Sequence, residues 1–264
     1  MRKTIPQITA MKGQEKIAVL TAYTYPLAAI IDEYVDIILV GDSLGMVLYG
    51  MDSTLPVSVK MMINHGSAVI RGSNSALVVV DMPFGSYQES PAQSFRNAAK
   101  IISQTGCQAV KLEGGVEISE SVHLLVNAGI PVMGHIGLKP QSFNTYGGFK
   151  VQGKDEDSAN KIMEDARALQ DAGCFSIVVE GVKESLAKEI TQALEIPVIG
   201  IGASPDCDGQ VLVSEDMLGL AAPNSKSPKF VKKFGSLNEE ISAAVKQYAR
   251  DVKNKTFPTS ENCY

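Results

Sequence analysis

The chain has 264 residues, 45% of them hydrophobic and 20% charged, with a formal net charge of −5. That is enough apolar material for a sizeable core, and the acidic balance, with scattered lysines and no tryptophan, argues against a nucleic-acid surface. No stretch reaches the roughly 18 apolar residues of a membrane span, Met1-Arg2-Lys3-Thr4-Ile5-Pro6 lacks a signal peptide's apolar centre, and Cys107, Cys174, Cys207 and Cys263 have no metal-ligand spacing. The expectation is a reduced, cytoplasmic protein with no membrane or nucleic-acid partner.

Residues 1–14 read as a lead-in, with a short helix that plugs or caps the domain. From there strands and helices alternate. Apolar runs predict strands over 17–22, 37–40, 76–81, 109–113, 132–136, 176–180 and 197–202, with a weaker eighth unit around 217–220. Helices are expected over 25–34, 57–71, 90–105, 118–128, 158–172, 184–193 and 235–253, the third marked by Ser90-Pro91 as cap and first-turn proline. Eight or so alternations at this length, with no compositional break, predict an α/β fold: one (β/α)8 TIM barrel domain over 1–264. A doubly wound open sheet is the alternative, but it favours Gly-x-Gly-x-x-Gly after the first strand, where this chain has Thr21-Ala22-Tyr23-Thr24.

In a barrel all strand carboxyl ends open on one face, where active sites are built. This chain puts Asp42 and Ser43 after strand two, Asp81 at strand three, Lys111 and Glu113 on strand four, His135 on strand five and Glu180 on strand six. Each has a plain structural reading: Asp-Ser as a helix cap, Lys111 with Glu113 as a neutralising buried pair, His135 as a satisfied core histidine. Four carboxylates with a lysine and a histidine on one rim are harder to explain as caps. Asp42, Asp81 and Glu113 crowd like charge, which a cation would relieve. All-oxygen donors favour a hard ion, Mg²⁺ before Mn²⁺ or Zn²⁺, with some contacts through water. Such a rim suits enolate chemistry on a 2-oxo acid, with Glu180 as free base, His135 donating to the enolate oxygen, and Lys111 pairing with the substrate carboxylate or the metal's anions.

Two glycine-rich loops invite a functional reading. Gly200-Ile201-Gly202-Ala203-Ser204 has the look of a phosphate cradle, but no basic residue follows until Lys226, so close strand-to-helix approach is the plainer explanation. Tyr146-Gly147-Gly148-Phe149-Lys150 reads either as a lid or as a loop packing a neighbouring subunit.

The text resembles the ketopantoate hydroxymethyltransferase family in Thr21-Ala22-Tyr23, Val40-Gly41-Asp42-Ser43-Leu44-Gly45-Met46 and Asp52-Ser53-Thr54-Leu55-Pro56-Val57. It continues through Asp81-Met82-Pro83-Phe84, Val110-Lys111-Leu112-Glu113-Gly114-Gly115 and Gly134-His135-Ile136-Gly137-Leu138 with Pro140-Gln141-Ser142. The last matching blocks are Gly147-Gly148-Phe149-Lys150-Val151-Gln152-Gly153, residues 196–203, and Cys207-Asp208-Gly209-Gln210-Val211-Leu212-Val213. The resemblance implies a barrel of the phosphoenolpyruvate/pyruvate type that uses one Mg²⁺ per subunit. It also implies transfer of a one-carbon unit from 5,10-methylenetetrahydrofolate to 3-methyl-2-oxobutanoate, giving 2-dehydropantoate for pantothenate and coenzyme A. Carried over by position, the metal acids fall on Asp42, Asp81 and Glu113. Substrate contacts fall on Asp42, Ser43, Asp81 and Lys111, with His135 near the substrate, and the base falls on Glu180. A cytoplasmic homo-oligomer, commonly a decamer, is implied too.

Two departures stand out. Gly181-Val182-Lys183 follows Glu180 where the family usually has Cys or a similar residue and then Val-Pro, and Ser204 stands where it generally has Gly. A glycine at 181 is expected to loosen the base's backbone and Lys183 to act on its pKa. Two other functions compete. A related Mg²⁺ lyase or isomerase would need further cations and, in several cases, a loop cysteine; a catalytically silent barrel would have lost rim acids. This chain shows none of these marks.

Overall fold

The computed structural model describes residues 1–148, 150–220 and 228–264, with the side chain of Tyr146 also outside the description. The chain divides into two compact units, Met1–Val213 and Ser214–Tyr264. The first holds a closed barrel of eight parallel strands in sequence order: β1 Ile17–Thr21, β2 Ile37–Val40, β3 Leu77–Asp81, β4 Ala109–Glu113, β5 Val132–Gly137, β6 Ser176–Glu180, β7 Val198–Ile201 and β8 Gly209–Leu212. β2, β3, β4, β5 and β7 are buried along their whole length. Parallel strands covered on both faces require that, so their sequences run apolar without alternation.

Helices Tyr25–Ile31, Val59–Gly72, Pro91–Thr105, Ser119–Asn127, Glu156–Asp171 and Glu184–Ala193 connect the strands. The Ser90 hydroxyl accepts from Gln93 N and Pro91 opens the helix, as their sequence order requires. Outward-facing strand residues pack on these helices around Val78, Val80, Val110, Leu112, Ile177 and Val179. Inward-facing ones, among them Ile17, Ile37, Leu77 and Met133, form a second cluster inside the barrel. The lead-in helix Ile5–Ala10 contributes Ile8, fully buried, to that inner cluster. It is therefore the plug expected from residues 1–14, and its one buried isoleucine stabilises the barrel floor by about 1.5–3 kcal/mol.

The eighth unit differs from expectation. β8 is Gly209–Leu212, paired with β1 from Ile17↔Gly209 to Leu20↔Leu212 and with β7 through Ile199↔Gly209 and Gly200↔Gln210. The expected unit at 217–220 is no strand: Ser214–Met217 is a short helix. Gly209 is required by closure, since a Cβ there would lie 2.4 Å from the Ile17 carbonyl oxygen. Asp208 secures the seam beneath it, accepting from Lys12 Nζ at 2.7 Å and from Val198 N at 2.9 Å.

In the second unit, helix Leu237–Lys253 has no buried residue. No described helix is long and apolar enough to cross a membrane. Phe149, in the loop expected to be either a lid or a contact with a neighbouring subunit, and Lys226 lie outside the described residues.

Candidate active site

Strand register builds the site. β3 pairs Asp81 with Lys111 on β4, β4 pairs Glu113 with His135 on β5, and β5 pairs Gly137 with Glu180 on β6. Asp42 and Ser43 follow β2 directly, where Gly41 ends the apolar run. The rim residues named from the sequence therefore meet at the carboxyl end of five neighbouring strands. Asp42, Asp81, Lys111, Glu113 and His135 are all buried.

Their contacts form one connected set. Asp81 Oδ2 accepts from the main-chain N–H of Asp42 at 3.0 Å. Asp81 Oδ1 lies 3.1 Å from Lys111 Nζ, yet outside hydrogen-bond geometry, which leaves that buried oxygen without a hydrogen-bond donor. Lys111 Nζ donates to His135 Nδ1 at 3.1 Å. The other imidazole nitrogen, Nε2, is 3.3 Å from Glu180 Oε2 but also lacks hydrogen-bond geometry. Glu113 Oε1 stands 3.8 Å from His135 Nδ1. Ser43 Oγ shares a 2.8 Å hydrogen bond with the Tyr23 hydroxyl.

Burial and crowding set the charges. The Asp42 pKa is raised to about 7 by burial and then by the Asp81 charge, against the pull of Lys111. Glu113 is held well above the ordinary carboxyl range by burial and by Asp42. Burial alone would lower Lys111, but Asp81, Glu113 and Asp42 together raise it and keep the ammonium charged. His135 is lowered by burial and by Lys111, so the ring is neutral at pH 7.

These features suit a hard divalent cation. Asp42 and Glu113 hold protons more tightly than water-exposed acids do, and the Asp81 oxygen Oδ1 is met only by the Lys111 ammonium, outside hydrogen-bond geometry. Among the described residues no three carboxylate, imidazole or thiol groups converge into a ready-made cage. The donor set therefore fits an ion held by one or two carboxylates with water filling the rest of its shell, as Mg²⁺ prefers.

Two buried residues of the site are not singled out from the sequence, although Gln141 stands in the matching block Pro140-Gln141-Ser142. Gln141 donates from Nε2 to Asp42 Oδ2 at 2.9 Å and from its main-chain N–H to Glu113 Oε2 at 2.9 Å. The Tyr87 hydroxyl is hydrogen-bonded to Gln141 and to the Glu113 backbone. Both are uncharged at neutral pH and lie between the strands, so a search for charged groups at strand ends passes over them.

The departures are also resolved. Gly181 is not loose: its N–H donates to Ile201 O at 2.9 Å and its carbonyl accepts from Gln152 N at 2.8 Å. Lys183 Nζ donates to the Lys154 carbonyl. Ser204 is buried and its hydroxyl accepts from Asp206 N at 3.1 Å, a contact within the turn.

With this geometry in hand, comparison with known proteins gives three findings. A family model described as ketopantoate hydroxymethyltransferase matches residues 2–260. A Bartonella henselae protein named 3-methyl-2-oxobutanoate hydroxymethyltransferase is 57% identical, over 100% of this chain and 94% of its own. Solved structures of the same fold include phosphonopyruvate hydrolase in complex with oxalate and Mg²⁺, at TM-score 0.62 and 11% identity over 98% of this chain and 93% of the other. Another is 2,3-dimethylmalate lyase of the PEP mutase/isocitrate lyase superfamily, at TM-score 0.57 and 14% identity over 97% and 89%. The solved structures share the barrel fold, and the chain, a transferase, belongs to the ketopantoate hydroxymethyltransferase family.

Proposed function

We propose that this protein transfers a hydroxymethyl unit from 5,10-methylenetetrahydrofolate to 3-methyl-2-oxobutanoate, giving 2-dehydropantoate. The support is the convergence of Asp42, Asp81, Lys111, Glu113, His135 and Glu180 at one barrel mouth, in a chain 57% identical over its full length to a protein named for that acceptor. The reaction removes a proton from C3 of the 2-oxo acid and forms a bond from C3 to the methylene carbon. Both C–N bonds of the methylene bridge break: water supplies the hydroxyl oxygen, and of the three protons from C3 and water two go to the freed nitrogens of tetrahydrofolate and one stays on the new hydroxyl.

Asp42, Asp81 and Glu113 would hold one Mg²⁺, directly or through water. A protein of the same fold binds Mg²⁺ with oxalate, a small anion with adjacent oxygens like those of a 2-oxo acid. When bound, the ion supplies a Lewis-acid centre for the keto and carboxylate oxygens.

The remaining steps belong to side chains. Glu180, at the end of β6 with its side chain 15% exposed, is the base that takes the C3 proton. His135 accepts from Lys111 at Nδ1, so its proton sits on Nε2, which lies 3.3 Å from Glu180 Oε2 outside hydrogen-bond geometry and is placed to donate to the substrate's keto oxygen as negative charge grows there. Lys111 supplies positive charge for the substrate carboxylate beside Asp81. Ser43, held by Tyr23, offers a hydroxyl to the same group. A cytoplasmic homo-oligomer, a decamer by resemblance, completes the reading.

The test is product formation. Purified protein with both substrates and Mg²⁺ should give 2-dehydropantoate by mass spectrometry, and excess EDTA should abolish it. No product under either condition would overturn the assignment.

A further inference from the structure

Gln141 lies in the short helical turn Pro140–Ser142 after β5, and it is 7% exposed. Every hydrogen-bonding position of its amide is taken. Nε2 donates to Asp42 Oδ2 at 2.9 Å and to the Met82 carbonyl at 3.0 Å. Oε1 accepts from the Tyr87 hydroxyl at 2.7 Å and from Gln88 Nε2 at 3.1 Å. The main-chain N–H of the same residue donates to Glu113 Oε2 at 2.9 Å. One residue thereby touches the ends of β2, β3 and β4 together.

The amide cannot be reversed. The Met82 carbonyl only accepts, so the group facing it and Asp42 must be the NH₂. Tyr87 closes the bracket: its hydroxyl accepts from Glu113 N at 3.1 Å and shares its one proton between Gln141 Oε1 and the Glu113 carbonyl at 2.9 Å.

A neutral donor suits this place better than a charged one. A lysine or arginine holding Asp42 and Glu113 would neutralise them and compete with any cation. An amide and a peptide N–H fix one oxygen of each acid while leaving its full charge for an ion. We propose that Gln141, itself held by Tyr87, is a positioning residue that fixes the carboxylates of Asp42 and Glu113 for divalent-ion binding, an inference that rests on the metal-assisted reading above.

The test is the affinity for Mn²⁺, followed by electron paramagnetic resonance at pH 8 on full-length wild type, Gln141→Met and Tyr87→Phe, each shown to melt cooperatively above the assay temperature. Methionine keeps the volume of glutamine and removes its hydrogen bonds. Loss of such orienting partners weakens metal binding by about 10- to 100-fold, so Kd should rise by at least about 10-fold in Gln141→Met and by a smaller factor in Tyr87→Phe. A merely structural role would lower the melting temperature and leave Kd alone. Wild-type binding with a folded Gln141→Met inside twofold of it overturns this proposal and spares the metal reading. Should Gln141→Met not fold, Tyr87→Phe decides, and an unchanged Kd there overturns the proposal. Absence of Mn²⁺ binding by wild type overturns the metal reading and this proposal with it.

Discussion

Lys111 Nζ stands 3.1 Å from His135 Nδ1, and because an ammonium has no lone pair, that contact makes Nδ1 the acceptor and leaves the ring proton on Nε2. The imidazole thus points its one N–H towards the side where Glu180 lies, 3.3 Å away. A row of Asp81, Lys111, His135 and Glu180 runs from β3 to β6. It puts a cation, a neutral donor and a carboxylate base within reach of one small molecule.

Removing Lys111 should disturb both neighbours. In Lys111→Met, Asp81 loses its ion-pair partner and His135 loses the charge that lowers it. Breaking a buried pair from one side costs about 3–5 kcal/mol, which urea denaturation of metal-free protein at pH 8 would measure. Imidazole ¹⁵N shifts should show wild-type His135 as the Nε2–H tautomer, mostly neutral at pH 6.5. The same resonance should titrate at higher pH in the variant.

Metal affinity should rise with pH. A cation competes with the protons on Asp42, raised to about 7, and on Glu113, raised well above its usual range. Below about pH 7 binding must displace the Asp42 proton, and above it that competition ends. The fold of the metal-free protein has the opposite trend. Both acids bind protons more tightly folded than unfolded: the stabilising effect of Asp42 is full below its unfolded value of 3.8 and is lost as pH rises through about 7, and that of Glu113 is likewise lost as pH rises through its raised value. His135, lowered from 6.5, offsets part of this by gaining stability as pH rises towards that value. Saturating Mg²⁺ should therefore raise Tm more at pH 8 than at pH 6, as differential scanning calorimetry would show. An equal rise at both values would contradict the assignment of Asp42 as a ligand.

Two glycines at the β5–β6 mouth should respond differently to alanine. Gly137 has φ +86°, and a Cβ there would lie 2.4 Å from the Glu180 carbonyl oxygen. Gly181 has φ +56°, with Leu138 Cβ at 3.1 Å as the nearest obstacle. Left-handed backbone alone costs a non-glycine residue about 1–2 kcal/mol. Gly181→Ala should lose about that much. Gly137→Ala should lose more, because it also forces the ends of β5 and β6 apart, and its activity should fall with Glu180 displaced. Chemical denaturation of the two variants side by side gives the comparison.

Seven strands were legible as apolar runs; in most of them burial on both faces produces the run, as in Val78-Val79-Val80 and Ile177-Val178-Val179. β8 was not. It has four residues, begins with Gly209 and carries Gln210 on an exposed position. Glycine is there for closure against Ile17, and in sequence Cys207-Asp208-Gly209 reads as a turn. The acids, Lys111 and His135 were legible because charge at the end of an apolar strand is conspicuous. Gln141 and Tyr87 act through neutral hydrogen bonds that only the folded chain assembles. The restraint on Gly181 is hidden from the sequence for a similar reason: it comes from Ile201 and Gln152, both distant from it along the chain.

The most direct test of the mechanism is hydrogen exchange at C3 of 3-methyl-2-oxobutanoate in D₂O, followed by proton NMR with Mg²⁺, with excess EDTA, and with Glu180→Gln. A positioned general base contributes about 10²–10⁴-fold. Exchange should therefore be rapid with Mg²⁺ and wild-type protein, fall by at least about 100-fold in Glu180→Gln, and be lost with EDTA, with tetrahydrofolate added if the binary complex is silent. Metal-dependent exchange that persists at the wild-type rate in Glu180→Gln would contradict the assignment of Glu180 as the base.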